Sequence, residues 1–269
     1  MTTIDLHKTL ETRVDWKYTV PGIALTAGIA NKFFLNLKEN PDAADLPVIR
    51  AKYYTLTFRE LCSPEKVVSD LIDQEIPEDS RALALDLDLD PEFKRGYYRM
   101  HLVLKDADKK PVDVYELYGI VDKQVEPKCD NYMTLESVRV QLGDLSIADN
   151  KLLESLEVST GDIASGVERA IQQWNNRAPF TSAYTGSNFP YPELLRCGTI
   201  YFMLQSLWTH LERNRMAYQS GGFNVDLEKR ADAFNQLMQQ YQTMWIGGMS
   251  RVKSEEDLMN FSGSYYYAP

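Results

Sequence analysis

The sequence predicts an α+β protein: a β-rich N-terminal domain, a small sandwich or barrel carrying one helix, followed by an α-helical bundle domain. Two observations carry this. Apolar residues alternate with period two up to about Asn131, whereas after Met133 they recur every three to four positions. The chain has 269 residues, 44% hydrophobic and 25% charged, which is the profile of folded globular domains and enough length for two. The boundary falls near Pro127 to Tyr132, giving a β-rich domain over 1–131, a helical bundle over 132–248 and an extended C-terminal tail over 249–269.

Taken in order, Lys32 to Leu37 and the alternating Tyr54, Leu56 and Phe58 read as strands. Ser63 as a cap, Pro64 in the first turn and Val67, Val68, Leu71 and Ile72 on one face predict a helix. Ala82 to Leu89 alternates strictly, with Leu83, Leu85, Leu87 and Leu89 on one side and Asp86 and Asp88 on the other, as a half-buried strand does. Tyr97 to Leu104 and Val112 to Tyr118, joined by the polar run Asp106 to Lys110, form a hairpin pattern.

In the second half, Thr134 caps a short helix that Gly143 ends. Leu152, Leu153 and Leu156 suggest a further apolar turn. Ser159 and Asp162 frame the start of a stronger helix with Ile163, Val167, Ala170, Ile171 and Trp174 on one stripe, closed by Pro179. A loop from Ala178 to Tyr191 carries Phe180, Tyr184 and Phe189 among small polar residues. Pro192 opens a long helix, apolar over more than half its circumference, in which Gly198 allows a neighbour to approach closely. Gly221-Gly222 breaks it. The last helix carries Leu227, Ala231, Phe234, Met238, Tyr241 and Trp245, and is expected to run until Gly247-Gly248.

Composition narrows the function. A net charge of −10 repels a polyanion unless basic residues segregate, and those of the helical half, such as Arg213 and Lys229, are interleaved with acidic ones. Met1 to Asp15 lacks the apolar core of a signal peptide, and no apolar run approaches the roughly 18 residues needed to span a bilayer. Cys62, Cys129 and Cys197 are widely spaced and read as reduced thiols.

Each candidate for chemistry lacks a required part. The only histidines that could serve as a triad base are His7, His101 and His210, of which His101 falls in a strand pattern and His210 on the long helix, as polar side chains at a surface or satisfied in the fold do, and Ser165 before Gly166 sits in a helix pattern rather than a strand-to-helix elbow. Asp86, Asp88 and Asp90 resemble the opening of a calcium loop, but Pro91 stands where that loop needs glycine and Tyr97 where it needs glutamate. No phosphate-binding glycine pattern occurs. The chain is therefore expected not to be an enzyme and to need no cofactor or metal. The rival from another class is a carbohydrate hydrolase using carboxylates of the β-rich half. The residues expected to meet partners or other subunits are Phe180, Tyr184 and Phe189 in the loop and Tyr265, Tyr266 and Tyr267 in the tail.

The helical half resembles a known family. A short capped helix, a helix ending in Gln173-Trp174-Asn175-Asn176, an aromatic loop, Tyr191-Pro192-Glu193-Leu194-Leu195, a long apolar helix, the Gly221-Gly222 break and a final helix follow one another. This order, over roughly Met133 to Trp245, is similar to the helical head-to-tail connector, or adaptor, proteins of tailed bacteriophages. The resemblance implies a virion structural protein forming a homo-oligomeric ring, commonly of twelve copies, between the portal protein and the tail or collar proteins. Genomic DNA would pass through its channel without sequence-specific binding, which suits an acidic protein. It implies no catalytic residues. The β-rich first half departs from the simple helical adaptor, so a baseplate or other virion position is the sibling expectation.

Overall fold

The computed structural model describes residues 2–5, 22–28, 30–36, 51–63, 67–77, 83–90, 92–123, 133–143, 158–180, 182–213, 219–220, 223–224 and 227–265. The chain forms two compact units that interleave along the sequence. The first takes Met1–Asp130, Asp144–Ser165 and Thr185–Asn188, and the second takes Asn131–Gly143, Gly166–Tyr184 and Phe189–Pro269.

The first unit is built on strands β1 (Thr2–Asp5), β2 (Gly22–Ala27), β3 (Ala30–Asn36), β4 (Tyr53–Glu60), β5 (Val67–Glu75), β6 (Leu83–Asp88), β7 (Gly96–Lys105) and β8 (Pro111–Lys123). Five of them make a mixed sheet in the order β2-β8-β7-β4-β5, curled into a half-barrel. All its pairs are antiparallel except β2 with β8. A separate three-stranded sheet runs β1-β3-β6. The period-two pattern has its physical consequence here. Leu56 and Phe58 of β4, Met100 and Leu102 of β7 and Leu117 of β8 share one core with Leu83, Leu85 and Leu87 of β6. Asp106 closes the β7–β8 turn by accepting from the amides of Asp108 and Lys110.

The expected fold class is overturned in this unit. The architecture is a half-barrel of mixed strands, not a sandwich or closed barrel with one helix, and it is not a β-domain simply followed by a helical bundle. Segments after residue 143 complete the first unit. Gly186 donates its amide to the Leu61 carbonyl at 2.9 Å and accepts from the Tyr97 amide at 3.3 Å, continuing the backbone pairing past the end of β4 and along the first residues of β7. Gly22 abuts the backbone of Gly161 so closely that a Cβ would overlap it. Such long-range pairings leave no trace in local periodicity.

The helix expected over Ser63 to Ile72 is instead the edge strand β5, whose Leu71 pairs with Leu56 and whose Asp70 pairs with Thr57. Leu71 packs against the core while Ile72 is 61% exposed, an alternation of strands rather than a helical stripe. The β-branched Val67, Val68 and Ile72 favour that outcome, and an open edge of β4 supplies the hydrogen bonds.

The helices follow their local signals more closely. In α1 (Leu135–Leu142) the Thr134 hydroxyl accepts from the Ser137 amide, and Gly143 ends the helix in the left-handed region at φ 72°. At the start of α2 (Thr160–Asn175) the Asp162 carboxylate accepts from the Ser159 amide, and the Ser159 hydroxyl accepts from the Asp162 amide, a reciprocal capping box. Helix α3 (Pro192–Arg213) is followed by the short hairpin of β9 (Gln219–Ser220) and β10 (Phe223–Asn224), and then by α4 (Leu227–Tyr265). The apolar segment at Leu152 to Leu156 lies outside the described residues.

In the second unit α3 and α4 pack together, with the later turns of α2 against them. Gly198 of α3 is the tight point: a Cβ there would sit 2.8 Å from the Trp245 ring and 3.0 Å from the Ala170 Cβ. The final helix does not stop at Gly247-Gly248. It continues for 17 further residues to Tyr265, replacing the extended tail expected from residue 249. Two glycines cost a helix on the order of 2 kcal/mol relative to alanine. Burial of Met249 and Lys253 beyond them offsets that cost.

Gly198→Ala should therefore lower unfolding stability by about 1–3 kcal/mol through overpacking. Gln240→Ala, on the exposed side of α4, should leave it within about 0.5 kcal/mol. Urea denaturation of both variants checks this.

Candidate functional site

The amphipathic stripe of α2 ends in Trp174, which is fully buried. Around its indole stand Phe189 at 5.1 Å between ring centroids, Tyr191 at 5.7 Å, Tyr184 at 5.9 Å and Trp245 at 6.0 Å. The Phe189 contact is edge-on, which places the positive rim of one ring against the negative face of the other. Both neighbours of Trp174 fasten the surroundings. Gln173 accepts from the Trp245 indole N–H at 2.6 Å, and Asn175 exchanges two hydrogen bonds with the backbone of Tyr184, at 2.8 and 2.9 Å. The sequence Gln173-Trp174-Asn175 thus fixes α4 on one side and the aromatic loop on the other.

Glu256 of α4 closes this arrangement. Its carboxylate accepts from the Tyr191 phenol at 3.0 Å, the Tyr184 phenol at 3.1 Å and the Ser182 hydroxyl at 2.9 Å. Burial first, and then the hydrogen bond to Glu256, pushes the Tyr191 phenol up to about 12. Tyr184 is raised chiefly by burial as well. Both phenols therefore hold their protons at neutral pH and act as donors. One turn earlier, the buried Lys253 donates to the carbonyls of Arg177 and Pro179, and its Nζ stands 5.4 Å from the centre of the Trp174 ring. Burial holds its ammonium below the usual lysine range, against the attraction of Glu256. By position it is a cation at the C-terminal end of α2, where carbonyls lack intrahelical partners.

The loop supplies a second set of donors to the first unit. Glu60, at the end of β4, accepts from the hydroxyls of Thr185 and Ser187 and from the Ser187 amide. The buried Tyr98 phenol beside it donates to the Lys94 carbonyl at 2.7 Å. In both units a carboxylate is surrounded by hydroxyl donors from one short stretch of chain. What such an arrangement does chemically is hold: each donated proton is already committed to its acceptor, and the phenol protons are made harder to remove.

Of the residues expected to meet partners, the structure brings together Tyr184 and Phe189. Phe189 is buried and Tyr184 half-buried, both against Trp174. Phe180 stands apart, with 77% of its surface exposed. Tyr265 is the last residue of α4, and Tyr266 and Tyr267 lie outside the described residues. Sequence reasoning missed Glu256, Lys253 and Glu60. Glu256 sits in the run Glu255-Glu256-Asp257, where nothing local separates the one that turns inward from its solvated neighbours. A signal existed for Lys253, since it continues the four-residue spacing Tyr241, Trp245, Met249 past the two glycines.

The other sites weighed from the sequence are dispersed. His101 lies on β7 with Nδ1 3.4 Å from Glu116, and burial holds its imidazole below the ordinary range. His7 lies outside the described residues, His210 is on α3 and Ser165 is inside α2. Asp86 and Asp88 are on β6, while Asp90 accepts from the Glu92 amide in the turn that follows. Among the described residues no group of three or more His, Cys, Asp or Glu side chains is arranged to hold a metal ion. None of the described helices is long and apolar enough to cross a membrane. No known family matches the chain, and neither the curated proteins nor the solved structures include a significant match to it.

Removing the Glu256 acceptor leaves two partly buried phenols and a serine without their partner. Glu256→Ala should cost about 2–4 kcal/mol in urea unfolding. The raised phenols also bind protons in the folded state that the unfolded chain releases. Stability should therefore fall as pH rises from the ordinary value of 10.0 towards about 12. Tyr191→Phe should make that alkaline loss shallower, as measured by denaturation at a series of pH values.

Proposed function

We propose that this chain is a virion structural protein of a tailed bacteriophage, a head-to-tail connector that forms a ring between portal and tail and extends the channel for DNA. One observation supports the reading above others. The segments that carry the resemblance are the ones that tie the second unit together: Trp174 is ringed by Tyr184, Phe189, Tyr191 and Trp245, with Gln173 and Asn175 fastening its surroundings. A connector is a mechanical part, and a rigid hub joining three helices and a loop suits such a part. The charge of −10 suits a conduit along which DNA slides without adhering.

In this reading the exposed Phe180 and the tyrosines from Tyr265 to Tyr267 meet neighbouring chains, and the β-rich unit contacts a collar or tail component. Light scattering of the purified protein, alone and with the portal of its own phage, tests the reading. A ring-sized complex is expected in at least one of the two samples. A chain that stays monomeric and never joins a portal removes it, as does turnover of a carbohydrate substrate abolished by one carboxylate substitution.

A further inference from the structure

The outer face of the five-stranded sheet carries a pairing that sheets ordinarily avoid. Phe58 and Glu60 of β4 and Tyr98, Met100 and Leu102 of β7 are buried, so Thr57, Arg59, Arg99 and His101 share the opposite face. The register sets Arg59 directly across from Arg99, and Thr57 directly across from His101. Like charges so placed, with β-carbons about 5 Å apart, repel. The repulsion is only partly cancelled. Arg59 is exposed, has no ion pair among the described residues, and faces Val67 on β5, where Asp70 is in register with Thr57 instead. On the other side of β7 the Glu116 carboxylate is shared, standing 3.8 Å from Arg99 and 3.4 Å from Nδ1 of His101. Arg99 also lies over the Tyr118 ring, 5.7 Å from its centre.

We propose that Arg59, Arg99, Thr57 and His101 form a binding site for a tetrahedral oxyanion of the phosphate class, carried by a small molecule. A pairing that breaks a local rule without compensation in the fold belongs to a functional position. Two guanidinium groups reach out from neighbouring strands, each able to offer two parallel N–H donors to one anion. The Thr57 hydroxyl, without a hydrogen-bond partner among the described residues, adds another donor. One fork already satisfies a carboxylate, so two forks suit a group with more oxygens and a second charge. Burial holds the His101 imidazole below its ordinary range; Glu116 opposes this, and Arg59 and Arg99 add to it. A bound dianion offsets the two arginines and draws a proton onto the ring. The net charge of −10 disfavours a long polyanion, which is why a small carrier fits.

Isothermal titration calorimetry of the full-length protein at low salt tests the site with inorganic phosphate, sulfate, acetate and a short single-stranded oligonucleotide. Phosphate and sulfate are expected to bind with dissociation constants on the order of 1 mM, acetate about tenfold more weakly, and the oligonucleotide no tighter than phosphate. Arg59→Gln and Arg99→Gln should each weaken phosphate binding about tenfold, whereas Glu116→Gln, which removes the competing acceptor, should tighten it about threefold. Sulfate binding should strengthen about threefold or more as pH falls from about 7.5 to about 5.5, and His101→Gln should abolish that response. The charged and titratable groups around the imidazole in that experiment are Arg59 of β4, Arg99 of β7, Glu116 and Tyr118 of β8, and Asp70 of β5.

In phosphate-free buffer Arg59→Gln should melt at or above the wild type, because it removes a repulsion. A lower melt shows that the arginine pair is structural and overturns the proposal. So do acetate or oligonucleotide binding tighter than phosphate, phosphate binding unchanged by both arginine variants or not tightened by Glu116→Gln, and a pH response kept in His101→Gln. The inference is independent of the connector reading. A ring that binds no phosphate removes the site alone, and a phosphate-binding chain that never meets a portal removes the connector alone.

Discussion

The second unit depends on one carboxylate reaching the right place. A charge half-withdrawn from water needs hydrogen bonds to replace hydration, and Glu256 obtains them from Ser182, Tyr184 and Tyr191. To deliver it, α4 must remain helical through Gly247 and Gly248, for which helix propensity alone gives no support. The favourable terms come from the positions that follow, where Met249 is buried and Lys253 donates to the carbonyls of Arg177 and Pro179. Helix continuity and loop structure are thus one interaction seen from two ends.

The loop between α2 and α3 is ordered by the same chemistry used twice. Ser182 and Tyr184 donate to Glu256 in the second unit, while Thr185 and Ser187 donate to Glu60 in the first. Hydroxyls suit this work because they rotate to meet an acceptor and cost little entropy to fix, whereas a lysine or arginine in their place would surrender more rotamer freedom. The aromatic residues among them supply area: Phe189 and Tyr191 cover the Trp174 ring that the end of α2 presents. The aromatic residues of the loop thus find their place within the second unit itself, with Tyr184, Phe189 and Tyr191 around Trp174.

Helix α4 divides its surface accordingly. The inward row is filled with rings, a thioether and the ammonium of Lys253, whose protons go to the carbonyls of Arg177 and Pro179. The exposed side of the helix is mixed, with Gln240, Thr243 and Ser254 beside Leu258 and Phe261.

Local order was legible in the sequence wherever the signal involves neighbours a few positions apart. Thr134 and Gly143 bound α1, Ser159 and Asp162 start α2, and the leucines of β6 alternate into a core as their spacing requires. These outcomes follow from backbone geometry, with period two in a strand and 3.6 in a helix, and from side chains that satisfy adjacent amides. Tertiary structure alone decided that Val67 to Glu75 is a strand, because the partner edge of β4 outweighs a marginal local preference for helix. It also decided that Gly186 bonds to the backbone of Leu61 just past β4 and of Tyr97 in β7, and that Glu256 rather than Glu255 turns inward. Each of those choices is made by atoms on another segment of the chain, whose proximity is a property of the folded chain and is written in no local window of the sequence.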